Sequence, residues 1–178
     1  MEFAVLNGSL RSKSYNQALI DTMDERYRDK FQLKQLSMAQ LPYFNQDQEL
    51  NPPEVVQQFK GHLRMADAIV MATPEFNWSI PGILKNALDW ASRGELVLVN
   101  KPALIVGAST GMIGTLRAQL HLRQVLSAPG LSCRTLPPGG NEVLVTFAEQ
   151  KFDVSGRLTD PATLAFLDSV VEKFLAFI

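Results

Sequence analysis

Short apolar runs bounded by turn residues alternate along this chain with longer segments whose apolar positions recur at helical spacing. The runs predict strands at Phe3–Asn7, Phe31–Leu36, Ala68–Thr73 and Pro102–Ala108, with a weaker fifth near Ser132–Leu136. Leu19, Ile20 and Met23 form the inner face of a helix over Ser14–Tyr27, and Val55, Val56, Phe59 and Leu63 that of a second, which Asn51-Pro52 should cap. Further helices are expected over Ile83–Trp90 and Thr115–Leu126. Asp160-Pro161 opens a last one, with Leu164, Leu167, Val171, Phe174, Leu175 and Ile178 on one stripe that covers the sheet. Before it, Phe152–Leu158 reads as a turn with Gly156 in the left-handed position. Strands alternating with helices in this way predict a doubly wound α/β sandwich: five parallel strands with a helical layer on each face.

At 178 residues the chain fits one domain spanning 1–178, long enough to bury roughly 70% of the surface of its unfolded form. Apolar residues make up 46% and charged residues 20%, an ordinary balance for a globular protein. A net charge of −1 lacks the basic excess that phosphate-backbone binding needs, so no nucleic-acid partner is expected. The one cysteine, Cys133, has no intrachain partner for a disulfide, and no Cys/His spacing resembles a metal site. Met1-Glu2-Phe3 runs straight into a strand, and no apolar stretch approaches membrane-spanning length. The expected location is the cytoplasm, without a membrane partner.

In an open parallel sheet, ligands sit beyond the carboxyl ends of the strands where the strand order reverses, which for the order 2-1-3-4-5 lies between strands 1 and 3. The loops after strands 1, 3 and 4 should therefore converge, and they are the chemically richest segments of the chain. The first, Gly8-Ser9-Leu10-Arg11-Ser12-Lys13-Ser14-Tyr15-Asn16, crowds hydroxyl, amide and guanidinium donors at a helix N-terminus, where free N–H groups and the helix dipole favour an anion. Ser9, Ser12 and Ser14 would serve equally as turn and cap residues, but Arg11 beside them suits the roughly two negative charges of a phosphomonoester. The lone Gly8 does not make G-x-G-x-x-G, and no P-loop occurs, so a mononucleotide fits better than a pyrophosphate.

The second loop, Thr73 to Gly82, is stiffened by Pro74 and Pro81, which suits holding exposed N–H groups against a planar heterocycle. Phe76 and Trp78 either flank such a ring or plug a core or subunit contact, and Trp90 belongs to an interface or the core. In the third loop, Gly107 to Gly114, the glycines admit close backbone approach to a ligand. Arg117, His121 and Arg123 on the helix beyond read as a solvated or subunit-facing side, and His62 lies far from the strand ends.

Two of these segments carry a resemblance. Gly8-Ser9-Leu10-Arg11 through Ser14-Tyr15-Asn16 is similar to the G-S-x-R-x-x-S-x-N element of the NADPH-dependent FMN reductase family. Pro74-Glu75-Phe76-Asn77, Pro81-Gly82, Leu84-Lys85-Asn86-Ala87 and Asp89-Trp90 resemble that family's P-E-Y-N-x-S-x-P-G-x-L-K-N-A-x-D-W element. The likeness continues through Arg117-Ala118-Gln119, Leu122-Arg123, Phe152-Asp153 and Gly156-Arg157-Leu158, nearly the whole chain. Phe76 stands where the family usually has tyrosine, and Thr115 where a second glycine is common.

The resemblance implies a flavodoxin-like fold and a bound FMN, with NADPH or NADH as substrate. It implies that Ser9, Arg11, Ser14, Tyr15 and Asn16 hold the phosphate and ribityl end. Pro74, Glu75, Phe76 and Asn77 would line the isoalloxazine edge, with Ser109, Thr110 and Gly111 on the pyrimidine side. No catalytic side chain is required, because the flavin itself carries the electrons. The expected activity passes hydride from nicotinamide through FMN to a quinone, flavin, azo compound or chromate-type acceptor. The alternative is a flavodoxin-type electron carrier without its own NAD(P)H oxidation, although the strongly acidic surface of such carriers is missing. Trp78, Trp90 and Met112 near one rim point to a homodimer or homotetramer.

Overall fold

The computed structural model describes residues 1–178. Six parallel strands form one sheet: β1 (Glu2–Asn7), β2 (Gln32–Gln35), β3 (Ala68–Ala72), β4 (Pro102–Ala108), β5 (Arg134–Thr135) and β6 (Val143–Val145). Their order is β2-β1-β3-β4-β5, with β6 also on β4, and the registers include Phe3 opposite Ala68 and Ile69 opposite Ala103. The helices are α1 (Tyr15–Arg26), α2 (Glu54–Met65), α3 (Gly82–Ala91), α4 (Leu116–Leu126), α5 (Ala148–Lys151) and α6 (Pro161–Phe177).

The fully buried central strands explain the near-continuous apolar runs, because each strand feeds both faces. Ala4 and Leu6 of β1, Ile69 and Met71 of β3 and Ile105 of β4 pack under α2, α3 and α4. Phe3 and Val5, Val70 and Val106 face the other way, under α1 and α6. This is the doubly wound architecture expected from the alternation, in the flavodoxin-like strand order that the resemblance implies.

Four local expectations need correction. The helix predicted to start at Asn51-Pro52 begins later: Pro53 is the cap residue, extended at φ −53° and ψ 152°, without a side-chain cap bond. A proline keeps the residue before it out of the helical region, so Pro53 holds Pro52 outside. The weak fifth strand is only Arg134–Thr135, and its position in the sheet is shared with β6, which the sequence reading missed. The two segments pair with opposite halves of β4, at Pro102-Ala103 and Val106–Ala108. Between them, Pro137 and Pro138 lack the N–H a ladder needs, and Gly139 and Gly140 have positive φ. Side chains of α4 serve the carbonyls at this break, Arg123 donating to Leu136 and Gln119 to Val143. Arg123 is therefore a half-buried structural residue, where a solvated or subunit-facing one was expected. The last concerns Trp90, read as interface or core but grouped with the rim: it is 1% exposed, donates from Nε1 to the Pro42 carbonyl and meets Phe44 edge to face. It belongs to the core and to no rim.

Candidate functional site

The three chemically rich loops leave the carboxyl ends of β1, β3 and β4 side by side. Each continues the ladder by one bond before turning away: Gly8 N–H to the Ala72 carbonyl, Thr73 to Val106 and Ser109 to Val145, at 2.8 to 3.0 Å. A Cβ on Gly8 would stand 2.7 Å from Pro81 Cγ and 3.2 Å from Pro74 Cδ, so only glycine admits the stiff second loop this close to the first. Between them lies a crevice of about 450 Å³, walled by Gly8–Arg11 on one side and by Phe76 and Pro81–Ile83 on the other. It adjoins a second hollow of about 310 Å³ that reaches Gln35–Ala39 past β2. A further hollow, about 480 Å³ around Met1, Glu2 and Asp67, lies at the opposite, amino-terminal edge of the sheet.

The first loop is a concentration of unused donors. From Leu10 to Asn16 no backbone N–H finds a partner within the chain, and the guanidinium of exposed Arg11 pairs with no carboxylate. Ser14 is buried at 6% exposure and caps α1, its Oγ accepting the Gln17 N–H at 3.3 Å. The free N–H groups of Tyr15 and Asn16 thus open the helix beside Arg11. Asn7 braces the turn from below, accepting the Ser9 N–H at 3.0 Å and donating to Gln17 Oε1 at 2.8 Å. Such a set suits an anion.

The second loop is a miniature hairpin. Phe76 and Ser79 exchange both backbone hydrogen bonds at 3.0 Å, and Asn77 and Trp78 between them are left-handed, with φ 50° and 64°. The turn leaves the Asn77 N–H without an intrachain partner and thrusts Phe76 and Trp78 outward at 53% and 70% exposure. Three contacts strap it to the start of α4. Glu75 Oε2 accepts the Ala118 N–H, Arg117 lies 4.1 Å over the Trp78 ring, and Ser79 Oγ is 2.8 Å from His121 Nδ1. Arg117 and His121, read as a solvated or subunit-facing side, thus belong to the rim. Their i, i+4 spacing directly after the third loop was the available signal.

In the third loop, Ser109 Oγ accepts the Gly111 N–H at 3.0 Å, while Thr110, Gly111 and Met112 are exposed. Gly107 is walled in: an added Cβ would stand 1.9 Å from Thr115 Oγ1 and 2.6 Å from the Thr73 carbonyl oxygen. Thr115, where glycine was the family's habit, occupies that space itself.

Three expected contact side chains are turned to other work. Asn16 is 4% exposed and spends its amide on the backbone of Ala108. The Tyr15 ring packs on Phe152, centroids 5.4 Å apart. The Glu75 carboxylate caps α4 rather than facing the crevice. The Tyr15 hydroxyl and Glu75 Oε1 keep no partner within the chain, whereas both polar atoms of the Asn16 amide are taken. Cys133 supplies no nucleophile, since burial pushes its thiol up to about 12. No cluster of side chains could hold a metal ion.

A doubly wound parallel sheet with a donor-rich first turn, a proline-stiffened second loop and a glycine-containing third, all at the switch point, defines a flavodoxin-like protein. Comparison with known proteins narrows the class. The profile of the NADPH-dependent FMN reductase family matches residues 1–150. An NAD(P)H-dependent FMN reductase of Pseudomonas aeruginosa is 41% identical over 157 residues, 87% of this chain and 83% of that protein. A 2-hydroxy-1,4-benzoquinone reductase of Burkholderia is 36% identical over 180 residues, covering 100% of this chain and 96% of that one. Among solved structures, the flavoenzyme NAD(P)H:(acceptor) oxidoreductase FerB of Paracoccus denitrificans superposes with a TM-score of 0.84 at 31% identity, over 98% of this chain and 95% of that one. The chain belongs to the NADPH-dependent FMN reductase family. It is an oxidoreductase that works with FMN and NAD(P)H.

Proposed function

We propose that the crevice between the first and second loops is the FMN site and that the enzyme reduces quinone-type acceptors with NAD(P)H. The run of unpartnered N–H groups from Leu10 to Asn16 beside Arg11 carries this reading, because it offers the donors and the charge a phosphate dianion requires. Ser9 and Ser14 border the same turn. Pro74 and Pro81 hold the second loop stiff, so the free N–H of Asn77 is presented without an ordering cost. Ser109, Thr110 and Gly111 would face the pyrimidine side, where their dipoles favour added negative charge. When bound, FMN supplies hydride acceptance and onward electron transfer, which no side chain here provides. Exposed Phe76 and Trp78 form an apolar rim for a planar acceptor, in keeping with the benzoquinone-reducing relative. Free flavin, azo compounds and chromate-type oxyanions are the other acceptors this reading admits.

The rim also supports self-association: Phe76, Trp78 and Met112, the last 72% exposed, suit a homodimer or homotetramer. With no helix long and apolar enough to cross a membrane, and a cysteine left unpaired, a cytoplasmic location fits the reading. The test is a titration of purified protein with FMN, followed by steady-state oxidation of NADH and NADPH with a benzoquinone and no partner reductase. Turnover is expected with bound flavin at stoichiometric occupancy. A colourless protein indifferent to FMN, or one reduced only through a partner, would overturn it.

A further inference from the structure

We infer that Asn16 is a positioning residue, clipping the ring-side loop to the phosphate-side helix through the peptide groups of Ala108. The inference rests on the FMN reading above for its functional half only. Its Nδ2 donates to the Ala108 carbonyl at 3.1 Å, and its Oδ1 accepts the Ala108 N–H at 2.9 Å, across 92 positions of sequence. Asn16 is 4% exposed and sits in the first turn of α1, beside the free N–H groups of the first loop. Ala108 is the last residue of β4, immediately before Ser109.

The geometry explains why a side chain is needed there. The pairing of β3 with β4 ends at Ala72 opposite Val106, short of Ala108, because the β3 chain turns away into Pro74. The last residue of β4 would otherwise end a ladder with nothing on that side, and a buried unpaired peptide is costly. The Asn16 amide substitutes for the missing strand, matching one donor to one acceptor twice. On its other side β4 is held by β6, with Ala108 in register with Val145. The ring-side loop is thereby fixed from both flanks. A rigid ligand gripped at both ends needs the spacing between the α1 N-terminus and Ser109–Gly111 held constant, and the clip sets that spacing. A direct phosphate contact, by contrast, would require an amide aimed into the crevice.

Asn16→Leu and Asn16→Ala test this, both uncharged so that neither alters attraction for a phosphate. In the apo protein, exchange of the Ala108 amide is expected to be slow in the parent and about tenfold faster in the variants, the loss of one net hydrogen bond. Binding of FMN and of riboflavin should weaken by the same factor, leaving their ratio unchanged, and the midpoint potential of bound flavin should move. A collapse of the FMN-to-riboflavin preference would place Asn16 on the phosphate and overturn the inference. Lower stability with potential and both affinities unmoved would also overturn it, leaving a merely structural residue. Should neither variant fold, rapid exchange at Ala108 in the parent protein is the overturning result and strong protection the supporting one. Failure of the parent to bind FMN would sink the cofactor reading while the exchange measurement still reports on the clip.

Discussion

Glu75 Oε2 accepts the backbone N–H of Ala118 at 3.1 Å, so a carboxylate from the second loop caps the helix that follows the third. The contact satisfies one of the N–H groups a helix leaves open and sets negative charge at the positive end of its dipole. Glu75→Ala is expected to cost about 1 kcal/mol in urea unfolding. Glu75→Gln, which keeps an acceptor without the charge, should cost less. Equal losses for both would show that the charge contributes nothing.

Arg11 and Lys13 are the two cations of the first loop, and neither pairs with a carboxylate. Arg11→Ala should weaken FMN binding by about 1.5 to 3 kcal/mol, the scale of a hydrogen bond to a charged group. Riboflavin, which lacks the phosphate, should bind both proteins alike. Fluorescence quenching titrations measure the two affinities, and a parallel loss for riboflavin would remove Arg11 from the phosphate.

Gly107 has no room for a side chain. Gly107→Ala is expected to destabilise by about 3 kcal/mol, as overpacking of a closed site does. Adding Thr115→Ala should recover only part, because the added Cβ would still meet the Thr73 carbonyl oxygen at 2.6 Å. Full recovery in a thermal melt would show that the backbone yields there.

Trp78 is left-handed at φ 64° and largely exposed, so its ring and its backbone place opposite demands on a substitution. Trp78→Gly should keep the hairpin, whereas Trp78→Val should be less stable than the glycine variant by about 1 kcal/mol. If the ring is an acceptor platform, Trp78→Gly raises KM for a benzoquinone and leaves KM for NAD(P)H little changed. An unchanged benzoquinone KM assigns the ring to subunit contact.

Asp168 joins α6 to α1, accepting from Arg26 Nε and Nη2 at 2.6 Å and from the Tyr27 hydroxyl at 2.8 Å. The Arg26 hydrogen bonds, followed by that from Tyr27, hold its carboxyl below the usual range despite partial burial. A depressed native pKa adds stability above the unfolded value near 3.9, lost as pH falls through the native one. Asp168→Asn should therefore cost about 1 kcal/mol at pH 7, modest because the pair is partly exposed, and progressively less below pH ~4. A difference independent of pH in urea titrations would mean packing, not charge, is lost.

The alternation of Phe3, Val5, Ala4 and Leu6 across β1, and the stripes on α1 and α6, were legible because a strand repeats every two residues and a helix every 3.6, whatever lies far away in sequence. The donor-rich first turn was legible for the same reason: Gly8, Ser14 and the start of α1 are sequence neighbours. Val143–Val145 escaped because so short a segment carries no period, and it is a strand only since β4 offers it an edge.

The chain by itself determined the layers of the sandwich, the three converging loops and the donors of the first, since these follow from local periodicity and turn chemistry. Tertiary structure alone decided where the polar side chains spend their hydrogen bonds. The Asn16 amide is taken by Ala108 and one Glu75 oxygen by Ala118, and Trp90, read as interface or core, is core because Pro42 and Phe44 enclose it. A buried polar atom must take whatever partner the folded chain sets next to it, and that neighbour, tens of residues away, leaves no mark on the spacing of its own segment.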